Sequence, residues 1–318
     1  FALGNFGAGA SAVFYDSLLP HIARPDQVDR ASTAGFALGY LGGGLLLALN
    51  LAWITQPTWF GLPEEGTLGP RLAFLSVGLW WLLFTLPLLK RVPEPPPLKT
   101  SFEALGRSGP FQAARQTLAE IRRYPEAFKL LIAFLLYNDG ILTIIRMATI
   151  FGTGIGLSSG SMILALLLVQ FVGIPCSFLF GAFANRVGAK RAVLVALMVY
   201  CLVSLLGYFM TTSGHFFALA GLVALVQGGA QALSRSLFAS LVPRQKSGEF
   251  FGFFAVGEKF AGVLGPTLFA AVSLSTGSSR SAMLWVLLFF VTGGFLLARV
   301  DVHGDRRAAR AAELELEG

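Results

Sequence analysis

Residues 128–151 read FKLLIAFLLYNDGILTIIRMATIF, and this run decides which solvent the chain is built for. An α-helix rises about 1.5 Å per residue, so a stretch of this length crosses the roughly 30 Å of a bilayer's hydrocarbon. Comparable runs recur at 1–19, 32–54, 72–89, 161–183, 192–213, 215–242, 251–275 and 281–299. Of 318 residues, 55% are hydrophobic and 13% charged, about half the roughly 25% charge that covers a soluble domain. The composition excludes a soluble protein and predicts an all-α integral membrane protein. Phe1 already lies inside the first run, which is a few residues short and reads as a helix cut at its start.

The charges orient these helices. Alternate loops (21–31, 90–129, 184–191, 243–250 and the tail from 299) carry 19 of the 24 Lys and Arg residues. The opposite loops carry Arg71 and Arg280, and Arg146, Arg235 and Lys259 lie within helices. This asymmetry puts the basic loops and the C-terminus in the cytoplasm. The formal charge of +7 is thus a matter of topology, and no nucleic-acid partner is expected. Cys176 and Cys201 sit in apolar runs, and His21, His215 and His303 are scattered. No cofactor or metal is expected from that inventory.

Four segments follow: 1–89 with three helices, a cytoplasmic linker at 90–127, six helices over 128–300, and a cytoplasmic tail at 301–318. The linker opens on the stiff run Pro93-Glu94-Pro95-Pro96-Pro97. It continues with Phe111, Ala114, Leu118 and Ile121 at helical spacing beside Arg115, Arg122 and Arg123, the pattern of an amphipathic helix lying on the membrane.

Two distant segments read alike. Ser17-Leu18-Leu19-Pro20 is followed after fourteen residues by Gly35-xxx-Gly39-xxx-Gly43. Ser240-Leu241-Val242-Pro243 is followed after thirteen by Gly257-xxx-Ala261-xxx-Gly265. Small residues at every fourth position let two helix backbones approach closely, and these glycines are the expected packing positions. A repeat offset of about 222 residues predicts two parallel six-helix bundles. Nine of twelve transmembrane helices would be present, with the first three upstream of Phe1.

At this point the sequence resembles the major facilitator superfamily. Within it, the chain is similar to the vacuolar amino-acid effluxer family named from autophagy, and to its bacterial relatives. The residues are Phe14-Tyr15-Asp16-Ser17-Leu18-Leu19-Pro20, the glycine-rich 35–44, Tyr137-Asn138-Asp139-Gly140, the stretch Gln227 to Leu237, and Glu249-Phe250-Phe251-Gly252-Phe253. Asn185-Arg186-Val187-Gly188-Ala189-Lys190-Arg191 resembles the superfamily's gating loop, with Asn185 where Asp is usual. The resemblance implies a monomeric secondary transporter in the bacterial cytoplasmic membrane, an amino acid as solute, and gating roles for Asn185, Arg186, Gly188 and Arg191.

Ionisable groups inside a bilayer are costly and mark function by default. Measured by helical rise from the basic loops, Asp139, Arg235 and Lys259 all fall about 13–15 Å deep, near the midplane, with Glu258 beside Lys259. Their signs cancel, which suits either a solute site or a structural charge cluster. The site reading gives Asp139 an ammonium group or a proton, and Arg235 or Lys259 a carboxylate. Gln227, Gln231 and Arg235 recur at i, i+4, i+8 and form a polar stripe. Tyr137 and Asn138 neighbour the acid, and Gln170 is a further lining candidate. Arg146 is expected to snorkel to the outer interface, and Asp16 to cap or gate a helix end. Gly156-Leu157-Ser158-Ser159-Gly160 fits a nucleophile elbow in letters only, since that elbow needs a strand–turn–helix and a triad. A non-transporting membrane scaffold that keeps the fold remains the alternative to transport. An enzyme has no constellation to support it.

Overall fold

The computed structural model describes residues 2–63, 66–95, 110–154 and 156–317. Helices account for nearly all of it: α1 (Ala2–Ser17), a short α2 (Leu19–Ile22), α3 (Val28–Thr55), α4 (Leu68–Arg91), α5 (Pro110–Ile121), α6 (Pro125–Gly154), α7 (Ser159–Val187), α8 (Ala189–Tyr208), α9 (Ser213–Leu241), α10 (Ser247–Thr276), α11 (Ser279–Ala298) and α12 (Val302–Glu317). Eight of these, α3, α4 and α6 to α11, are long and apolar enough to cross a membrane. The helix α1 is apolar too, at 16 residues. Helices are the outcome lipid demands, because no water is there to satisfy an open backbone.

Local chemistry sets the helix ends. Ser158 accepts a hydrogen bond from the Ser161 backbone N–H and starts α7, which gives the elbow-like serine a capping task. Thr212 does the same for α9 through His215. Between α7 and α8 the whole connection is Gly188 at φ 90°, a conformation that residues with a Cβ avoid.

From α6 to α11 the helices form one bundle, with α6 against α10 and α11, α8 against α9 and α11, and α7 against α9. The helix α3 packs onto α7 and α9, and α1 runs along α10. Its main neighbour being α3, α4 buries none of its residues. Aromatic packing ties the bundle together near its basic end, where Phe134 stacks on Phe254 at 4.0 Å and Phe238 meets Phe251 at 5.2 Å.

The small-residue spacing is used unevenly. A Cβ on Gly257 would come within 2.7 Å of Leu135, one on Gly43 within 3.0 Å of Gln170, and one on Gly35 within 3.2 Å of the Tyr15 hydroxyl. Gly39 faces open space, so it is no packing position here. Two tight crossings carried no periodic signal: Gly293, where an added Cβ would come within 2.9 Å of the Tyr137 backbone nitrogen, and Gly229, set against Phe180.

The linker and tail both pack on the helices. Ile121 of α5 is fully buried and Leu118 packs on the core, while Glu120 pairs with Lys246 at 2.9 Å. The end of the apolar stripe of α5 is therefore turned to the protein. Pro96 and Pro97 of the stiff run lie outside the described residues, as does the Phe111 side chain. The tail forms α12, which buries Ala309 and donates from Arg306 to Ser240 at 3.1 Å.

Candidate functional site

The charges within the helices separate into two groups. In the first, Arg235 on α9 is buried and its guanidinium pairs with Asp16 of α1 at 2.7 Å. The same guanidinium donates to the Ser32 hydroxyl at 3.0 Å and the Ser32 carbonyl at 3.3 Å. The faces of Tyr15 and Phe36 flank it at 5.5 and 5.0 Å. Ser32 in turn donates to the Ala232 carbonyl at 2.7 Å, so its hydroxyl both accepts from Arg235 and donates to α9. Half-buried Glu258 feels Asp16, Lys259 and Arg235, and the exposed Lys259 lies along α1, its stem 3.4 Å from where a Cβ on Gly9 would sit.

This knot belongs to a seam between residues 1–95 and residues 125–317. Ser236 donates to Asp29 at 2.5 Å, Ser247 donates to the Ser17 carbonyl at 3.0 Å, and His21 meets Ser247 at 3.1 Å. The first Ser-Leu-x-Pro segment thus meets, through Ser17, the turn that follows the second. Burial holds the His21 pKa below its ordinary 6.5; the Arg244 charge acts the same way, while a backbone contact to Arg244 and the Glu313 carboxylate oppose it.

Arg244 to Ser247 form a turn with three attachments. The Arg244 backbone N–H donates to Glu313 of α12 at 3.0 Å, Lys246 holds Glu120 of α5, and Ser247 holds Ser17 and His21.

The second group lies on α6. Asn138 and Asp139 are 0% and 1% exposed, and none of their four side-chain polar atoms makes a well-formed hydrogen bond to a described residue, although the Gly265 backbone N–H faces the Asp139 carboxylate. Buried polar groups in native proteins are almost always paired, so this pair stands out. Asp139 abuts α10 at Gly265, where an added Cβ would meet Asp139 Oδ1 at 3.0 Å and its carbonyl at 3.1 Å. Thr143, one turn on, donates to that same carbonyl at 2.6 Å. The cation acting on Asp139 is Arg146. Arg146, though exposed, donates to the Gly262 carbonyl at 2.6 Å.

The other candidates take the following places. Arg235 answers Asp16, not Asp139, because the polar stripe of α9 turns toward α1 and α3. Tyr137 is fully buried and its hydroxyl is taken up by Ser234 at 2.6 Å. Asn185, Arg186 and Arg191 are exposed and form no hydrogen bond or ion pair with described residues; their neighbour Lys190 instead donates to the Ala298 and Val300 carbonyls at 2.7 Å. Gln231 is half-buried. Gln227 and Gln170 line an apolar cavity of about 300 Å³ with Ile144, Thr149, Val223 and Met283. Ser32, Asp29, Thr143 and Gly262 were missed, since short polar residues and glycines are common in membrane helices and signal nothing alone.

Residues 26–310 match the family model described as "Vacuole effluxer Atg22 like". The chain belongs to this family. Among similar proteins, the "Uncharacterized MFS-type transporter YxiO" of Bacillus subtilis is 36% identical over 307 residues, covering 94% of this chain and 70% of that protein. Autophagy-related protein 22 of Yarrowia lipolytica is 29% identical over 315 residues, covering 89% and 52%. Autophagy-related protein 22-1 of Penicillium rubens is 24% identical over 314 residues, covering 91% and 52%. The chain thus spans 70% of the bacterial relative and about half the length of these fungal ones. The Atg22-like match begins in the short loop after α2 and reaches into α12, so it takes in the seam's Ser32, Arg235 and Ser247 and both residues of the unpartnered pair.

Proposed function

We propose that the protein is a secondary active transporter that moves a small polar solute, an amino acid by family resemblance, across the bacterial cytoplasmic membrane by alternating access. The names of its relatives, an MFS-type transporter and a vacuole effluxer, support the class. The observation that carries a site within this chain is the unpartnered, buried Asn138–Asp139 pair midway along a membrane helix. Keeping a carboxylate there without a partner is costly unless something else supplies one. A solute ammonium or a proton is that partner in this reading, with Asn138 as a further hydrogen-bonding group.

Arg235 takes a different part from the one its depth suggests. With Asp16, Ser32 and the Asp29–Ser236 bond it holds the basic end shut. By the positive-inside asymmetry that end faces the cytoplasm, so this arrangement is the cytoplasm-closed state. Opening requires these bonds to be exchanged for water, the ordinary way a gate of packed helices switches. The protein works as a monomer, with proton coupling through Asp139.

The test is counterflow of a panel of radiolabelled amino acids into proteoliposomes holding the full-length protein. At least one should exchange faster than in protein-free vesicles, and Asp139→Asn should abolish that exchange. No amino acid exchanging, with folded protein present, refutes the solute class. Undiminished exchange in Asp139→Asn removes the site.

A further inference from the structure

We propose that Arg146 is a positioning residue that transmits the charge state of Asp139 to the backbone of α10; the proposal rests on Asp139 being the site just described. It starts from Pro266, inside α10. Proline has no N–H, so the carbonyl four residues earlier, at Gly262, loses its helical donor. An unanswered carbonyl in a membrane helix is a weak point that needs another donor. Arg146 supplies it, with Nη1 at 2.6 Å. The guanidinium lies where a side chain on residue 262 would go, so only glycine leaves it room.

Asp139, Thr143 and Arg146 lie at i, i+4 and i+7 on the face of α6 that meets α10. Helical side chains lean toward the N-terminus, which brings the Arg146 guanidinium back down the helix toward Asp139. It has two acceptors within its sweep, the Gly262 carbonyl and the Asp139 carboxylate. In the structure it serves the first, and Asp139 keeps both oxygens unpaired.

The choice between acceptors depends on Asp139. An ionised, unoccupied carboxylate attracts the guanidinium, because Asp139 is buried and the charge of the exposed Arg146 acts on it. The Gly262 carbonyl is then released and α10 is free to bend at Pro266. Once a proton or a solute ammonium neutralises Asp139, the attraction ends and Arg146 returns to Gly262, straightening α10. That helix begins at Ser247 and carries Glu258 and Lys259 along α1, so its bend reaches the seam. Site occupancy and gate position are thereby linked through one guanidinium.

Hydrogen–deuterium exchange of α10 in the full-length protein, held in lipid nanodiscs without solute, tests this. Asp139→Asn fixes the neutral state and should slow exchange across residues 262–269 by about threefold. The same substitution in an Arg146→Gln background should leave exchange unchanged. If Arg146→Gln does not yield folded protein, Gly262→Ala displaces the guanidinium and should likewise erase the response. A response that persists in either background, or none in the parent, overturns the proposal. Transport separates it from the functional reading. Lost transport in Asp139→Asn with no coupled exchange sinks only the Arg146 link, whereas coupled exchange with full transport sinks only the role of Asp139 in transport.

Discussion

Asp16 and Arg235 stand 219 positions apart in sequence and 2.7 Å apart in space, joining a helix of the first segment to one of the second. The pair is largely withdrawn from solvent, with side-chain exposures of 19% and 7%. Its aromatic flanks, Tyr15 and Phe36, limit how water could replace either partner.

Removing one member should therefore cost more than removing both. Asp16→Asn or Arg235→Gln leaves a lone buried charge, at about 3–5 kcal/mol. The double variant, having no charge to strand, should recover part of that. A double-mutant cycle on thermal unfolding of the full-length protein reads the coupling, and strictly additive losses would show that the two side chains do not act as a pair.

Asp139→Asn should fold and bind lipid normally while transport falls at least about tenfold, as expected for an ionisable group placed at mid-bilayer for function. Thr143→Val, which removes only a bond to the Asp139 carbonyl, should leave transport within about threefold of the parent. Initial rates of counterflow in matched proteoliposomes compare the two.

Two glycines should respond oppositely to alanine. A Cβ on Gly293 would press on the Tyr137 backbone nitrogen at 2.9 Å and the Ala133 carbonyl at 3.1 Å, atoms that cannot rotate away. Gly293→Ala should lose about 1–3 kcal/mol. Gly39 meets nothing within 4 Å, so Gly39→Ala should be neutral or stabilising by up to about 1 kcal/mol through helix propensity. Melting temperatures of the two variants, measured side by side, settle the order.

The His21 contact should weaken in acid. Its folded pKa lies below the ordinary 6.5, mainly through burial, so the folded protein prefers the neutral ring. Above 6.5 neither state is protonated and the contribution to stability is complete. As pH falls through 6.5 the unfolded chain takes up the proton first, and stability is lost down to the folded pKa. Melting temperature against pH should therefore fall more steeply below about pH 6.5 for the parent than for His21→Gln; parallel curves would show that His21 does not titrate against folding.

Much of the fold could be read from apolar run length, since lipid admits few alternatives to the helix. The runs at 32–54 and 128–151 sit within α3 and α6. For the candidate site, the sequence offered a depth for each charge but no direction. Helical rise placed Asp139, Arg235 and Lys259 at one level, yet only packing decides which neighbour each helix face meets. Arg235 turned to Asp16, and Asp139 turned to α10. The Arg146 position had a sequence signal after all: a proline four residues beyond Gly262, and the known lean of helical side chains toward the N-terminus. Asp16 lacked one, because an acid near a helix end usually serves as a cap.

The turn from Arg244 to Ser247 has a practical side. Glu313, which answers the Arg244 backbone, lies in the last turns of α12, so a reporter or affinity handle joined before that residue would strip one of four neighbours from the same four-residue seat. The other three are Glu120 of the linker and Ser17 and His21 of the first segment. Labels meant to watch the gate without disturbing it are better placed after Glu317, or on the exposed surface of α4, where no described side chain is buried.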